Sequence, residues 1–273
     1  AQTKESAFQA TVLLTRPTDD HIEVELVGLP HGDRARNQCI VSRCTAPIRG
    51  RRLHLVVIGV DVKDGEALKQ QALIAVGADG SPASSSFFEK VVPYEPLVGP
   101  VTVGSIKSRL RSVKRKIDDQ PQDPNVPLSD VVLVYFQGQE IAGSDGLYLL
   151  SSEYAQDQNL QRSALSGQWI VGLFGETRGA QVLMLDAQRL AAEQAAAAKN
   201  PFDGGRLGVF HAFWSGATVP PAELLTLLQK GWSRADTLDS LAQQIQELCP
   251  PQLQFAKYLP GDLAQLEFGG KRP

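Results

Sequence analysis

Two uninterrupted apolar runs, Val131–Phe136 and Val182–Leu185, constrain the fold more than any other feature of this chain. Neither alternates polar with apolar residues, as a strand wetted on one face would, and neither is long enough for a helix. Each reads as a strand buried on both faces that runs into a short polar turn. The turns are Gln137-Gly138-Gln139-Glu140 after the first and Asp186-Ala187-Gln188-Arg189 after the second. Strands of this kind belong to parallel sheets covered by helices above and below. The rhythm of strand, helix, strand begins at Leu53, and strands are expected over Leu53–Val60, Phe87–Val92, Asp130–Gln137, Ala180–Asp186 and Leu207–Phe213. A helix is expected over Ser105–Ile117, where Ile106, Leu110, Val113 and Ile117 recur at steps of four, three and four. Pro221–Lys230 opens with two prolines suited to a first helical turn, and Leu238–Leu248 follows a cap at Asp236 or Thr237. Ala191–Ala198 is a helix-prone connector, and Gly80–Ser86 and Asp118–Pro127 are loops by composition.

Residues 1–50 follow a different pattern. Phe8–Leu14 and Ile22–Val27 alternate as strands do, separated by the turn-forming Arg16–Asp20, and Asn37–Ser42 forms a third. Three short antiparallel strands bury too little apolar surface to stand alone. The segment is therefore expected to lean on another chain or on the larger part. Pro47–Arg52 reads as a linker, which divides the chain into a small β unit (1–50) and an α/β domain (51–273).

Composition narrows the function classes. A net charge of −3 exerts no general pull on nucleic acid or anionic membrane, and no apolar run is long enough to cross a bilayer. Hydrophobic residues at 42% are enough for a soluble protein with a real core. Cys39, Cys44 and Cys249 are odd in number and lack Cys-x-x-Cys spacing, which favours reduced thiols over a disulfide framework or a zinc site. His21, His31, His54 and His211 show no metal-ligand spacing. Gly77-Ala78-Asp79-Gly80 and Gly172-Leu173-Phe174-Gly175 match neither a phosphate loop nor a dinucleotide fingerprint, so no cofactor is implied.

Tyr135-Phe136-Gln137-Gly138-Gln139 and Leu185-Asp186-Ala187-Gln188-Arg189 resemble the catalytic strands of the caspase-like cysteine peptidases: caspases, metacaspases and their bacterial relatives. In that family the first strand ends in Tyr-Phe-Ser-Gly-His-Gly and the second in Leu-Asp-Ala-Cys-Arg-Ser-Gly. Here Gln139 stands where the family has its histidine, and Gln188 where it has its cysteine. Asp145–Leu150 resembles the Asp-Gly-Tyr-Leu-Leu hairpin that follows the histidine strand. Phe210–Trp214 falls in the place of the strand that lines the family's peptide cleft. Residues 53–259 follow the family's element order, and 1–50 resemble the end of the β-sandwich segments that often precede its bacterial domains. The resemblance implies a caspase-like, mostly parallel sheet flanked by helices, with Gln139 and Gln188 at adjacent strand ends in one polar network. It also implies that Asp186 lines a pocket for a basic side chain, although a carboxylate there equally suits capping of local backbone amides.

A glutamine amide is weakly nucleophilic and has no accessible pKa. Gln188 therefore cannot replace a thiolate, nor Gln139 a proton-carrying imidazole. Loss of a nucleophile or its base in hydrolytic triads costs roughly six orders of magnitude in kcat. The expectation is a pseudopeptidase without catalytic residues, whose binding set is Gln139, Gln188, Asp186 and Asp145. It would bind or scaffold a protein or peptide partner, such as an active relative or a larger complex, and not nucleic acid or membrane. Two alternatives stay open: a hydrolase that uses other residues, or a purely structural subunit. Nothing in the sequence brings Cys249 and His211 together, and Ser151, Ser152 and Ser163 lack a nucleophile-elbow context. Asp61, Asp64, Asp145 and Asp186 could gather at the carboxyl ends of the strands, where open α/β sheets bind ligands. The basic residues of Lys107–Lys116 read as a solvated helix face.

Overall fold

The computed structural model describes residues 21–26, 35–40, 52–77, 88, 90–119, 130–143, 146–155, 159–175, 177, 179–190, 201–202, 206–214, 222–232, 235, 237–264 and 266. The chain divides into two compact units, Ala1–Thr45 and Ala46–Pro273. In the first, β1 (His21–Leu26) and β2 (Ala35–Ile40) pair antiparallel, with His21 opposite Ile40. The expected strand at Phe8–Leu14 and the thiol of Cys44 lie outside the described residues.

The second unit is an open, mixed α/β sheet. Its elements in chain order are β3 (Arg52–Val60), α1 (Gly65–Ala75), β4 (Lys90–Pro93), β5 (Leu97–Gly99), α2 (Val103–Asp118) and β6 (Asp130–Gly143). There follow β7 (Gly146–Leu150), α3 (Leu160–Ser163), β8 (Ala164–Ser166), α4 (Gly167–Gly175), β9 (Ala180–Leu190) and β10 (Gly208–Trp214). The last are α5 (Glu223–Trp232), α6 (Leu238–Leu248), β11 (Gln254–Tyr258) and α7 (Gly261–Ala264). The main path runs β11-β10-β9-β6-β3-β4, parallel throughout except for β11 at the edge. Side chains on one face of the sheet pack against α1, α5 and α6, and those on the other against α2 and α4. Burial on both faces is why the central strands carry apolar residues without alternation.

Local chemistry sets the helix ends. Thr102 and Ser105 form a reciprocal capping box at the start of α2, and Thr237 and Ser240 do the same for α6. Thr237, and not Asp236, is thus the α6 cap. α1 was not expected: Asp64 caps it through Ala67, and it buries only Leu68, Ala72 and Ala75, too sparse a stripe to register as a helical period. α4 and β11 were also unexpected, α4 because glycines interrupt its pattern and β11 because it is a short edge strand. Both expected turns are instead strand. β6 continues to Gly143 and β9 to Leu190, still in register at Ile141 and Leu190, and the tail of β6 also pairs with β7. The hairpin expected after β6 is this β6–β7 pair; Ala191–Ala198 lies outside the described residues.

At the amino ends of the strands Arg52 grips the buried Asp130 carboxylate in a fork, Nε to Oδ1 at 2.8 Å and Nη2 to Oδ2 at 3.0 Å. Beside them the buried His54 places Nδ1 3.1 Å from the Tyr94 hydroxyl, and burial pushes its imidazole below the usual range. Gln139, Gln188 and Asp186, the described residues singled out from the sequence, lie at the other end of the sheet.

Candidate functional site

The parallel register of β6 and β9 puts Gln137 opposite Asp186, Gln139 opposite Gln188 and Glu140 opposite Arg189. Successive residues on a strand point to opposite faces, so these three pairs serve two different surfaces. Gln137, Asp186, Gln139 and Gln188 share the α1/α5 face with Tyr135, whereas Glu140 and Arg189 share the α2/α4 face with Phe136.

On the α1/α5 face, Gln139 Nε2 donates to Gln188 Oε1 at 3.2 Å, so the two glutamines meet as their place in the register requires. They border a cavity of about 530 Å3. Gln137 and Trp214 complete the sheet side, and the turn Asp61–Asp64 forms a wall with Leu68 and Gln71 of α1. The lining includes the Asp61 and Asp64 carboxylates, the Lys63 ammonium, amides and Ser151, and among the described residues neither a histidine nor a cysteine. Two of the lining residues, Asp61 (φ 60°) and Ala222 (φ 64°), are the two non-glycine residues with positive φ among the described residues. Such backbone costs on the order of 1–3 kcal/mol per residue and tends to collect at functional sites. Asp61 is held in place by Ser152, whose hydroxyl donates to it at 2.7 Å.

Asp186 does not line this cavity. It is fully buried beneath it, and Oδ2 accepts from the Tyr135 hydroxyl at 2.8 Å and from the Leu224 amide at the start of α5 at 3.1 Å. The amide that Asp186 caps belongs to α5 and not, as expected, to its own strand end. Burial pushes the Asp186 carboxyl up to about 7, although the bonds from Tyr135 and Leu224 pull it back down. Burial and the neighbouring carboxylate push the Tyr135 phenol well above its usual range. Two acceptor oxygens on this register pair, Gln137 Oε1 and Asp186 Oδ1, are buried without a hydrogen-bond partner among the described residues. Asp145 lies outside the described residues; of the other three carboxylates considered together, Asp61 and Asp64 share a wall. No group of three or more His, Cys, Asp or Glu among the described residues is arranged to hold a metal.

The α2/α4 face carries a network that sequence reasoning missed. The fully buried Glu140 accepts from Arg189 Nε at 2.7 Å and lies 2.6 Å from His211 Nε2 on β10. The Arg189 guanidinium stacks on Phe213, 3.6 Å from the ring centre. His211 is thus occupied in a hydrogen-bonded network joining three strands. Cys249, at the end of α6, packs with the opposite cluster and donates its thiol to the Leu253 carbonyl at 3.2 Å. Burial pushes that thiol up, away from the nucleophilic thiolate. The Ser151 hydroxyl is likewise committed, donating to the Ser163 carbonyl at 2.7 Å. A signal for the Glu140–Arg189 pair did exist. Opposite charges directly follow the two glutamines, and the register that pairs the glutamines must pair the charges.

No protein-family model matches the chain, and no curated protein matches it.

Proposed function

We propose that this chain is a binding module built on a caspase-like sheet whose peptidase dyad is absent: a pseudopeptidase that holds a peptide or protein segment without cutting it. The observation that carries the reading is the Gln139–Gln188 pair, joined at 3.2 Å across adjacent strands and bordering a cavity of about 530 Å3. A nucleophile and its base would need this placement, since both must come within hydrogen-bond reach of each other. Two amides there retain the geometry and supply polar contacts, but they move no protons. The strained Asp61 and Ala222 on the cavity wall agree with a site retained for binding.

A basic side chain suits the pocket best. Asp61 and Asp64 lie on the wall and outnumber its one described cation, Lys63, and the buried Asp186 carboxyl ionises more readily once a cation sits nearby. Titration of the protein with fluorescent Arg- and Lys-containing peptides tests this. The peptides are expected to bind and to remain intact by mass spectrometry. Gln188→Trp, which fills the cavity, is expected to abolish binding, and Asp186→Asn to weaken it. Turnover that Gln188→Ala abolishes would overturn the non-catalytic reading. Peptide binding indifferent to Gln188→Trp would remove the cavity from it.

A further inference from the structure

The second surface with unassigned chemistry is α2 and its neighbour α4. α2 carries Lys107, Arg109, Arg111, Lys114, Arg115 and Lys116 against the single acid Asp118, a net +5. The chain as a whole is −3, so everything outside α2 sums to −8. The basic charge is therefore concentrated on one helix of an otherwise acidic molecule.

The six cations are not equivalent. Arg109 bonds the Glu95 carbonyl, Lys116 sits over the Tyr94 ring at 5.2 Å, and Lys114 pairs with Asp118 at 2.6 Å. Lys107, Arg111 and Arg115 recur every four residues along one flank, and no carboxylate among the described residues pairs with them. Trp169 of α4, half-buried, lies against this flank: Lys107 Nζ and Arg111 Cζ are each 5.6 Å from its ring centre. The ring orders two long side chains that would otherwise lose entropy on binding, which pre-forms the surface.

We propose that Lys107, Arg111, Arg115 and Trp169 form a docking surface for an extended acidic segment of a protein partner. Four residues of helix advance about 6 Å, and alternate side chains of an extended strand repeat at about 7 Å. Carboxylates at every second position of such a segment therefore fall against successive cations. A single-stranded nucleic acid is the weaker fit. It requires a succession of aromatic platforms, but among the described residues the ring on this stripe is Trp169, already engaged by two cations.

The test uses the full chain, a fluorescein-labelled extended peptide with glutamate at alternate positions, and an oligo-dT of similar length, read by anisotropy at low salt. The peptide is expected to bind more tightly than the oligonucleotide. Lys107→Glu/Arg111→Glu/Arg115→Glu is expected to weaken it by roughly tenfold or more, since each exposed pair contributes a fraction of a decade. If that variant does not fold, the glutamine triple variant carries the same test with a smaller loss. Gln188→Trp is expected to leave this binding unchanged, which separates it from the cavity. Tighter binding of oligo-dT that is lost in the triple variant would overturn the acidic-peptide assignment. No peptide binding, or binding that survives the triple variant, would overturn the surface itself.

Discussion

One residue apart, on the same two strands, the chain builds two contrasting surfaces. Gln139 and Gln188 meet on the α1/α5 face as neutral amides beside an open cavity; Glu140 and Arg189 meet on the α2/α4 face as ions, with the carboxylate sealed from water and His211 added from a third strand. The difference lies in what each face needs. A buried carboxylate without partners is prohibitive, so Glu140 requires both of its own, and the three strands are tied at that point. The amide pair carries little energy and leaves its cavity unfilled. The ionic face ties three strands together, and the amide face borders the cavity.

The sharpest way to break that contrast is Glu140→Ala, which strands the His211 ring and the Arg189 guanidinium together. A loss of about 3–5 kcal/mol is expected, measured as a lower denaturant midpoint at unchanged slope. A loss below about 1 kcal/mol would mean that the network does not hold the sheet.

Asp186 connects the two roles, because it lies beneath the cavity and ties α5 to the sheet. Its carboxyl is held near 7 in the fold against an ordinary 3.8, so between those values the folded state binds a proton that the unfolded state lacks. The corresponding stability is fully present below about pH 4 and is lost as pH rises through about 7. Asp186→Asn removes this slope and leaves the variant at least as stable as the parent at pH 8, by up to a few kcal/mol. Thermal melts across pH 4–8 check it, and an unchanged slope in the variant would assign the titration elsewhere. Tyr135→Phe removes one of the two donors to the same oxygen. It is expected to cost about 1–2 kcal/mol and to shift the slope upward in pH, since the lost bond was holding the carboxyl down. The smallest effect belongs to Gln139→Ala, below about 1 kcal/mol because the amide bond is exposed. A larger loss would make the glutamines structural and erase the contrast.

The parallel core strands were legible because burial on both faces leaves an unmistakable apolar run. The Gln139–Gln188 contact was expected from the resemblance of the two segments to the caspase-like strands, and the parallel register of β6 and β9 brings the two side chains together. What the sequence hid depends on tertiary packing. Whether Asp186 faced a pocket or a helix end depended on where α5 begins, two residues later than the prolines suggested, with Leu224 delivering its amide to the carboxylate. The strand ends ran beyond their expected turns because β7 offers Glu140–Gly143 a partner, a long-range effect with no local signature. The Trp169 contact with α2 joins two helices some sixty residues apart and leaves no trace in either segment alone.

The most direct measurement installs a histidine and a cysteine at the two glutamine positions. In Gln139→His/Gln188→Cys the two side chains should reach each other as the amides now do, lowering the thiol's pKa and presenting it to a peptide in the cavity. A peptidyl thiol-reactive warhead with a basic side chain is expected to label the double variant at position 188, faster than the Gln188→Cys single variant and faster than a small non-peptide alkylator labels the same thiol. Equal rates in the single and double variants, with no gain from the peptide portion, would contradict both the dyad geometry and the binding cleft.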